Sequence, residues 1–319
     1  MIDPLIPAGV TRCGFVALLG APNAGKSTLL NALVGARVAI VTHKVQTTRL
    51  PLRGISTHED AQLVFIDTPG IFQPKRRLDR AMTAAAWQSG EDADILLHVV
   101  DAGAEVRLNQ GVNTKPADPK MRADRERVEA GLKQAKRKAI LVLNKVDSVK
   151  KEELLPVIEQ IYDEEIYDEV QMLSAQSGSG VEDLKAILAG RVPPGPWHFP
   201  EDQIADANMR LLAAEITREK LMLRVHDELP YVSHVETETF KTLKDGSARI
   251  EQTIYVERPS QRAIILGDKG QTIKTIGSQA RKDIAELLGT PAHVFLTVKV
   301  KDWQDDRGLY ARLGLDYSA

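Results

Sequence analysis

One stretch near the start of the chain constrains the fold more than any other. The apolar run Gly14-Phe15-Val16-Ala17-Leu18-Leu19 passes directly into Gly20-Ala21-Pro22-Asn23-Ala24-Gly25-Lys26-Ser27, and residues 27–33 continue with helix-forming, apolar-spaced residues. Strand, glycine-bearing loop and helix in that order predict a phosphate site. The glycines let successive backbone N–H groups wrap phosphate oxygens, Lys26 reaches the β- and γ-phosphates, and Ser27 is placed to ligate Mg²⁺. The loop opens a helix, whose unpaired N–H groups and positive dipole end favour an anion at Gly20 through Thr28.

Two further segments, each after an apolar strand, extend this reading. Asp67-Thr68-Pro69-Gly70 follows Leu63-Val64-Phe65-Ile66, so Asp67 emerges at the carboxyl end of a strand, where a carboxylate can hold Mg²⁺ through water. Alone, such a tetrapeptide is an ordinary turn. Here Gly70 would let the backbone approach a γ-phosphate, which makes residues 70–80 a candidate switch released on hydrolysis. Asn144-Lys145-Val146-Asp147 follows Ala139-Ile140-Leu141-Val142-Leu143. Asp147 offers two acceptor oxygens to the N1–H and N2–H₂ donors of guanine, a donor pair that adenine lacks. Asn144 is expected to brace the loop and the Lys145 stem to lie against the base. Ser174-Ala175, after a strand near 170–173, supplies a backbone N–H for guanine O6. GTP and GDP are therefore the expected ligands, and Mg²⁺ the expected cofactor.

At 319 residues, 43% of them hydrophobic and 27% charged, the chain is long enough for two domains with their own cores. The one cysteine, Cys13, excludes an internal disulfide framework and fits a reducing cytoplasm. No secretory leader and no apolar run long enough for a membrane span are expected. The net charge of −2 conceals a local basic patch. Between residues 258 and 282, Arg258, Arg262, Lys269, Lys274, Arg281 and Lys282 face only Asp268. A solvated charged face or a nucleic-acid or membrane surface would each look like this.

Strands near 14–19, 63–66, 95–100, 139–143 and 170–173, alternating with helical stretches, predict an α/β domain over residues 1–192, with a mostly parallel sheet covered on both faces. The polar piece at 104–127, with Pro116 and Pro119, reads as a long exposed loop. Four prolines between 193 and 200 mark a linker, assigned to 193–204. A smaller α+β domain over 205–319 follows. An amphipathic helix at 205–228 precedes a hairpin of strands at 232–240 and 248–258, turning at Asp245-Gly246. Gly267-Asp268-Lys269-Gly270 then leads into a helix, and a strand at 294–300 ends the series. That order is the order of a KH RNA-binding module, in which the two glycines admit a nucleic-acid backbone and Lys269 meets a phosphate. Lys274, Arg258 and Arg281 are the further candidate RNA contacts.

These motifs together resemble the Era family of bacterial GTPases, within the TrmE-Era-EngA-like group. The resemblance spans nearly the whole chain and includes Pro22-Asn23, Gln46-Thr47-Thr48-Arg49 and Gly267 through Gly277. It implies a P-loop GTPase domain followed by a type II KH domain. It further implies binding near the 3′ end of 16S rRNA in assembly of the 30S subunit, a cytoplasmic monomer, and in some members peripheral association with the inner face of the membrane. By the same resemblance Thr48, with Thr47 as the alternative, is the switch threonine sensing Mg²⁺ and the γ-phosphate. Water attacks in line while Lys26, Mg²⁺ and backbone donors, Gly70 among them, stabilise the developing charge. Ile71 stands where many GTPases carry a water-orienting glutamine, so slow intrinsic hydrolysis is expected. Asn23 could hold K⁺ at the phosphates or simply brace its loop. Phe72, where many members have histidine, and the 104–125 insertion depart from the family pattern.

Overall fold

The computed structural model describes residues 11–42, 48, 52–74, 76–201, 203, 209–226, 229–304, 306–312 and 315–318. The chain divides into two compact units, with the main change of unit between Asp206 and Ala207.

The first unit is built in the order β1 (Arg12–Leu19), α1 (Lys26–Val34), β2 (Leu52–His58), β3 (Ala61–Asp67), α2 (Arg77–Glu91), β4 (Ile95–Asp101), α3 (Ala102–Gln110), α4 (Asp118–Ala135), β5 (Ala139–Asn144), α5 (Leu154–Ile161), β6 (Tyr167–Met172) and α6 (Val181–Arg191). Its six strands run β2-β3-β1-β4-β5-β6, parallel except for the antiparallel β2–β3 pair. β1 therefore lies between β3 and β4, and the strand order reverses at its carboxyl end. In an open α/β sheet that crevice receives the ligand. The continuous apolar runs of β1, β3 and β5 follow from burial on both faces, and all seven residues of β3 are buried.

Edge strand β2, Leu-Arg-Gly-Ile-Ser-Thr-His, has no clear alternation and is not among the strands expected from sequence. The 104–127 piece is not a long exposed loop. Only residues 111–117 separate α3 from α4. Asp101 caps α3 by accepting the Ala104 N–H at 3.0 Å, and Pro119 sits in the first turn of α4, where a missing N–H costs nothing. Arg107 joins the helices through two bonds to Asp118 at 2.7 and 2.8 Å, and buried Glu105 takes Arg122 and Arg125 at 2.8 and 3.1 Å. The polar side chains here pair with one another, so polarity does not mean exposure.

The proline-rich segment is held on the first unit over residues 193–199. The fully buried Gln62 amide accepts from the backbone N–H of His198 (2.9 Å) and Phe199 (3.0 Å) and donates to Phe199 O (2.8 Å). Trp197 Nε1 donates to Asp60 O, and Arg12 bridges to Pro194.

The second unit contains α7 (Met209–Arg224), α8 (Leu229–Val232), β7 (His234–Thr242), β8 (Ala248–Val256), α9 (Pro259–Leu266), α10 (Gln271–Leu288), β9 (Ala292–Val300) and α11 (Arg307–Arg312). β7 and β8 form the expected hairpin, and β9 joins β8 in parallel. Leu221, Ile254, Ile265, Ile276 and Val298 bind α7, α9 and α10 to one face of this sheet.

Candidate nucleotide site and RNA surface

The loop between β1 and α1 lies at the crevice beside β4. Gly25 holds φ 103°, and a Cβ there would come 2.2 Å from Asn144 Nδ2, so only glycine fits. Asn144 explains the crowding. Its amide donates to Ala24 O at 3.0 Å while its oxygen accepts the N–H of Lys145 (2.8 Å) and of Ala175 (3.0 Å). One side chain thus ties the phosphate loop to the Asn144–Asp147 loop and to Ser174-Ala175. Lys145, with φ 65°, extends to Asn23 O (2.7 Å) and to Asp101 Oδ2 (2.6 Å). Asp147 is exposed at the rim.

Three oxygen-bearing side chains converge at the start of α1. Ser27 Oγ lies 2.7 Å from Asp67 Oδ2, Thr48 Oγ1 lies 2.9 Å from the same atom, and the two hydroxyls are 3.0 Å apart. Asp67 is fully buried, its carboxyl is pushed up by burial against the pull of Lys26, and its Oδ1 has no partner. A buried carboxylate with one orphan oxygen beside two hydroxyls is an all-oxygen donor set suited to Mg²⁺. Thr47 lies outside the described residues.

The Lys26 ammonium, 6% exposed, donates to Gly20 O and Ala21 O at 3.0 Å each. Burial pushes its pKa down to about 8, against upward pulls from Asp67 and Asp124. Thr68 bonds Leu18 O, and the Ile71 N–H donates to Gly20 O at 3.1 Å, which places Gly70 against the phosphate loop at Pro22. Ile71 and Phe72 are buried. Asp101 is not among the residues that the sequence motifs single out. Its place at the carboxyl end of β4, a position that faces the ligand in such sheets, is the signal that could have found it.

In the second unit, Gly267-Asp268-Lys269-Gly270 turns between α9 and α10, with Gly270 N–H bonded to Gly267 O. Gly267 has φ 71°, and a Cβ there would lie 2.2 Å from Thr272 Oγ1, whereas the space around Gly270 is open. Lys269, Lys274 and Arg281 are exposed, and Lys274 and Arg281, seven residues apart on α10, share a face. Arg258 does not join them at the turn. It caps the opposite end of α9, roughly 12 Å away along the helix.

The sheet order, the phosphate loop and the guanine-type loop define a P-loop GTPase domain, and the second unit has the fold of a KH domain. Family profiles agree: one described as "50S ribosome-binding GTPase" matches residues 15–145, and one described as "KH domain" matches residues 228–304. The chain is 53% identical to GTPase Era of Maricaulis maris, covering 96% of this chain and 98% of that protein. It is also 53% identical to GTPase Era of Caulobacter vibrioides strain NA1000, over 96% and 97% of the two. Among solved structures it is similar to a single-residue variant of Aquifex aeolicus Era bound to GDP·AlF₄⁻, with TM-score 0.83, 36% identity, and 96% and 99% of the chains covered. A second similar structure is Era in complex with MgGDPNP and nucleotides 1506–1542 of 16S ribosomal RNA, with TM-score 0.80, 34% identity, and 95% and 99% covered. The chain belongs to the Era family of GTPases.

Proposed function

We propose that this GTPase binds Mg·GTP in the first unit and single-stranded RNA on the second, its RNA target being the 3′ end of 16S rRNA during 30S assembly. The observation that carries the nucleotide half is the convergence of Ser27, Thr48 and Asp67 on one point beside Lys26. The RNA half is supported by the turn at Gly267–Gly270 and by full-length likeness to an Era chain solved with that RNA.

In this reading Ser27, Thr48 and Asp67 hold the metal, which when bound would neutralise charge on the β- and γ-phosphate oxygens. Lys26 leaves its two carbonyls for the phosphates, and the N–H groups of the loop surround them. Gly70 presents its N–H to the γ-phosphate, and Thr48 and Gly70 register whether that group is present. The protein supplies positioning and charge stabilisation, with no side chain at Ile71 able to orient water. Asp147 reads the guanine edge, and Ala175 N–H meets O6. Lys269 at the turn and Lys274 and Arg281 on α10 meet backbone phosphates, and Arg258 extends the basic track beyond the turn.

Titrating a fluorescent 16S 3′-end oligonucleotide into the GTP-analogue-loaded protein tests the whole reading. Tight, salt-dependent binding is expected, and binding no stronger than to a scrambled strand would reject it. Two finer roles belong to the same proposal. Asn23 holds K⁺, so hydrolysis is faster in K⁺ than in Na⁺ and Asn23→Ala abolishes the difference; equal rates refute it. The protein acts as a cytoplasmic monomer that associates only peripherally with membrane; no helix among the described residues is long and apolar enough to cross one, and sedimentation with anionic vesicles checks the association.

A further inference from the structure

One helix grips the chain on both sides of the segment that ends at Thr48. Helix α1 closes at Gly35, which holds φ 74° and donates its N–H to Asn31 O at 2.9 Å, so the chain turns back along the helix. It returns to the side chain of Asn31. Asn31 Oδ1 accepts the N–H of Val38 at 2.9 Å and of Ala39 at 2.8 Å, and Nδ2 donates to Ala39 O at 2.8 Å. Val38 and Ala39 are buried, so their backbone groups require such partners. The Val38 N–H also lies 3.1 Å from Ala36 O, whereas Ala39 gives both of its backbone groups to this one side chain.

Asn31 stands four residues after Ser27 on α1, hence on the same helix face one turn further along. Ser27 Oγ is 3.0 Å from Thr48 Oγ1. Ala39 and Thr48, nine residues apart in the chain, are therefore both fastened to α1. The two fastenings differ in kind. At Ala39 the bonds run between protein groups and need no ligand, whereas Thr48 meets Ser27 and Asp67 at the oxygen set suited to a metal. Ala39 is also the last residue of the first unit before the chain rejoins that unit at Thr48. Every residue left free must be ordered when Thr48 closes on its ligand, and holding Ala39 in advance removes residues 36–39 from that cost.

We propose that Asn31 is a positioning residue for the switch threonine: by holding Val38 and Ala39 against α1 whatever the nucleotide, it keeps Thr48 within reach of the metal and the γ-phosphate. The proposal rests on the nucleotide-site reading above. Its signature is selectivity, because GDP lacks the γ-phosphate that Thr48 registers in that reading.

The test measures dissociation constants for GDP and for a non-hydrolysable GTP analogue, both with Mg²⁺, in the full-length wild type, Asn31→Ala, Thr48→Ala and the double variant. Asn31→Ala should weaken the analogue by about tenfold and leave GDP within about twofold. In the double variant the analogue should bind no more weakly than in Thr48→Ala, since Asn31 acts through that residue. Equal weakening of both nucleotides, or additive losses in the double variant, would overturn the proposal and leave Asn31 as general support of the domain. Amide exchange in the wild type gives a second reading that does not depend on a variant folding. The Val38 and Ala39 amides should be equally protected without nucleotide, with GDP and with the analogue, and loss of their protection in the GDP complex would also overturn the proposal. A Thr48→Ala variant that binds the analogue as the wild type does would instead defeat the site reading, and the proposal with it.

Discussion

The ammonium of Lys145 lies 2.6 Å from Asp101 Oδ2 while Asp101 Oδ1 caps the first turn of α3. The guanine-type loop is thereby tied to the end of β4, and through Asn23 O to the phosphate loop.

Replacing Asp101 with alanine should free Lys145 and uncap α3 together. GDP and GTP should both bind more weakly, by about tenfold, since neither the base loop nor the phosphate loop distinguishes them. Stopped-flow release of a fluorescent nucleotide would measure it, and a change confined to GTP would contradict the arrangement.

Asp147 is exposed at the rim, free to pair with a base edge. Asp147→Asn exchanges an acceptor for a donor, so GTP affinity should fall by roughly a hundredfold, while xanthosine triphosphate, with oxygen at C2, should bind better than GTP. Competition binding with the two nucleotides decides it.

His98 is fully buried, bonded at Nδ1 to Tyr167 Oη at 2.6 Å, and burial lowers its pKa from 6.5 to about 3. The folded protein keeps the ring neutral where the unfolded chain protonates it. Stability is therefore lost as pH falls from 6.5 towards about 3, by about 2 kcal/mol between pH 7.5 and 5 from this residue alone. Urea unfolding of wild type and His98→Phe at both pH values should show a shallower pH dependence in the variant. Equal slopes would mean that His98 is protonated in the fold.

At the RNA surface, Gly270→Asp adds a negative group at the turn and forces a residue with a Cβ to hold φ near 76°. It should weaken single-stranded RNA binding and leave RNA-free GTP turnover unchanged. Lys269→Glu and Lys274→Glu should each reduce the salt slope by roughly one. An unchanged titration curve for Gly270→Asp would refute the assignment of this turn.

Gln62→Leu should leave the backbone groups of His198 and Phe199 unpaired on the first unit. Loss of about 1–3 kcal/mol is expected in urea unfolding, with nucleotide affinity maintained because Gln62 lies at the end of β3 away from Asp67. A neutral variant would show that the proline-rich segment is not held there.

The parts of this molecule that are legible in the sequence are those where the chemistry requires one residue type at one place. Gly25 admits no Cβ beside Asn144, Asp67 ends a fully buried strand, and the apolar face of α10 carries Ile276, Ala280 and Ile284. The parts that are not legible are those where partners are distant in sequence. Arg107, Glu105, Arg122 and Arg125 look like a solvated stretch until the fold brings α3 against α4. Asp101 carries no local pattern to separate it from surface carboxylates, because its meaning comes from Lys145. Gln62 similarly reads as one polar residue in a strand until residues 198 and 199 return to it.

The three bonds of Asn144 have a kinetic consequence. The loops proposed for phosphate, base and base O6 share one amide, which ties their positions together and lowers the ordering left to binding. Departure faces the reverse condition. On the proposed site reading, the base end and the phosphate end are joined through that amide between Ala24 and Ala175, so they are expected to open together rather than by stepwise peeling. The side chain that couples the two ends is therefore expected to set how fast a nucleotide exchanges.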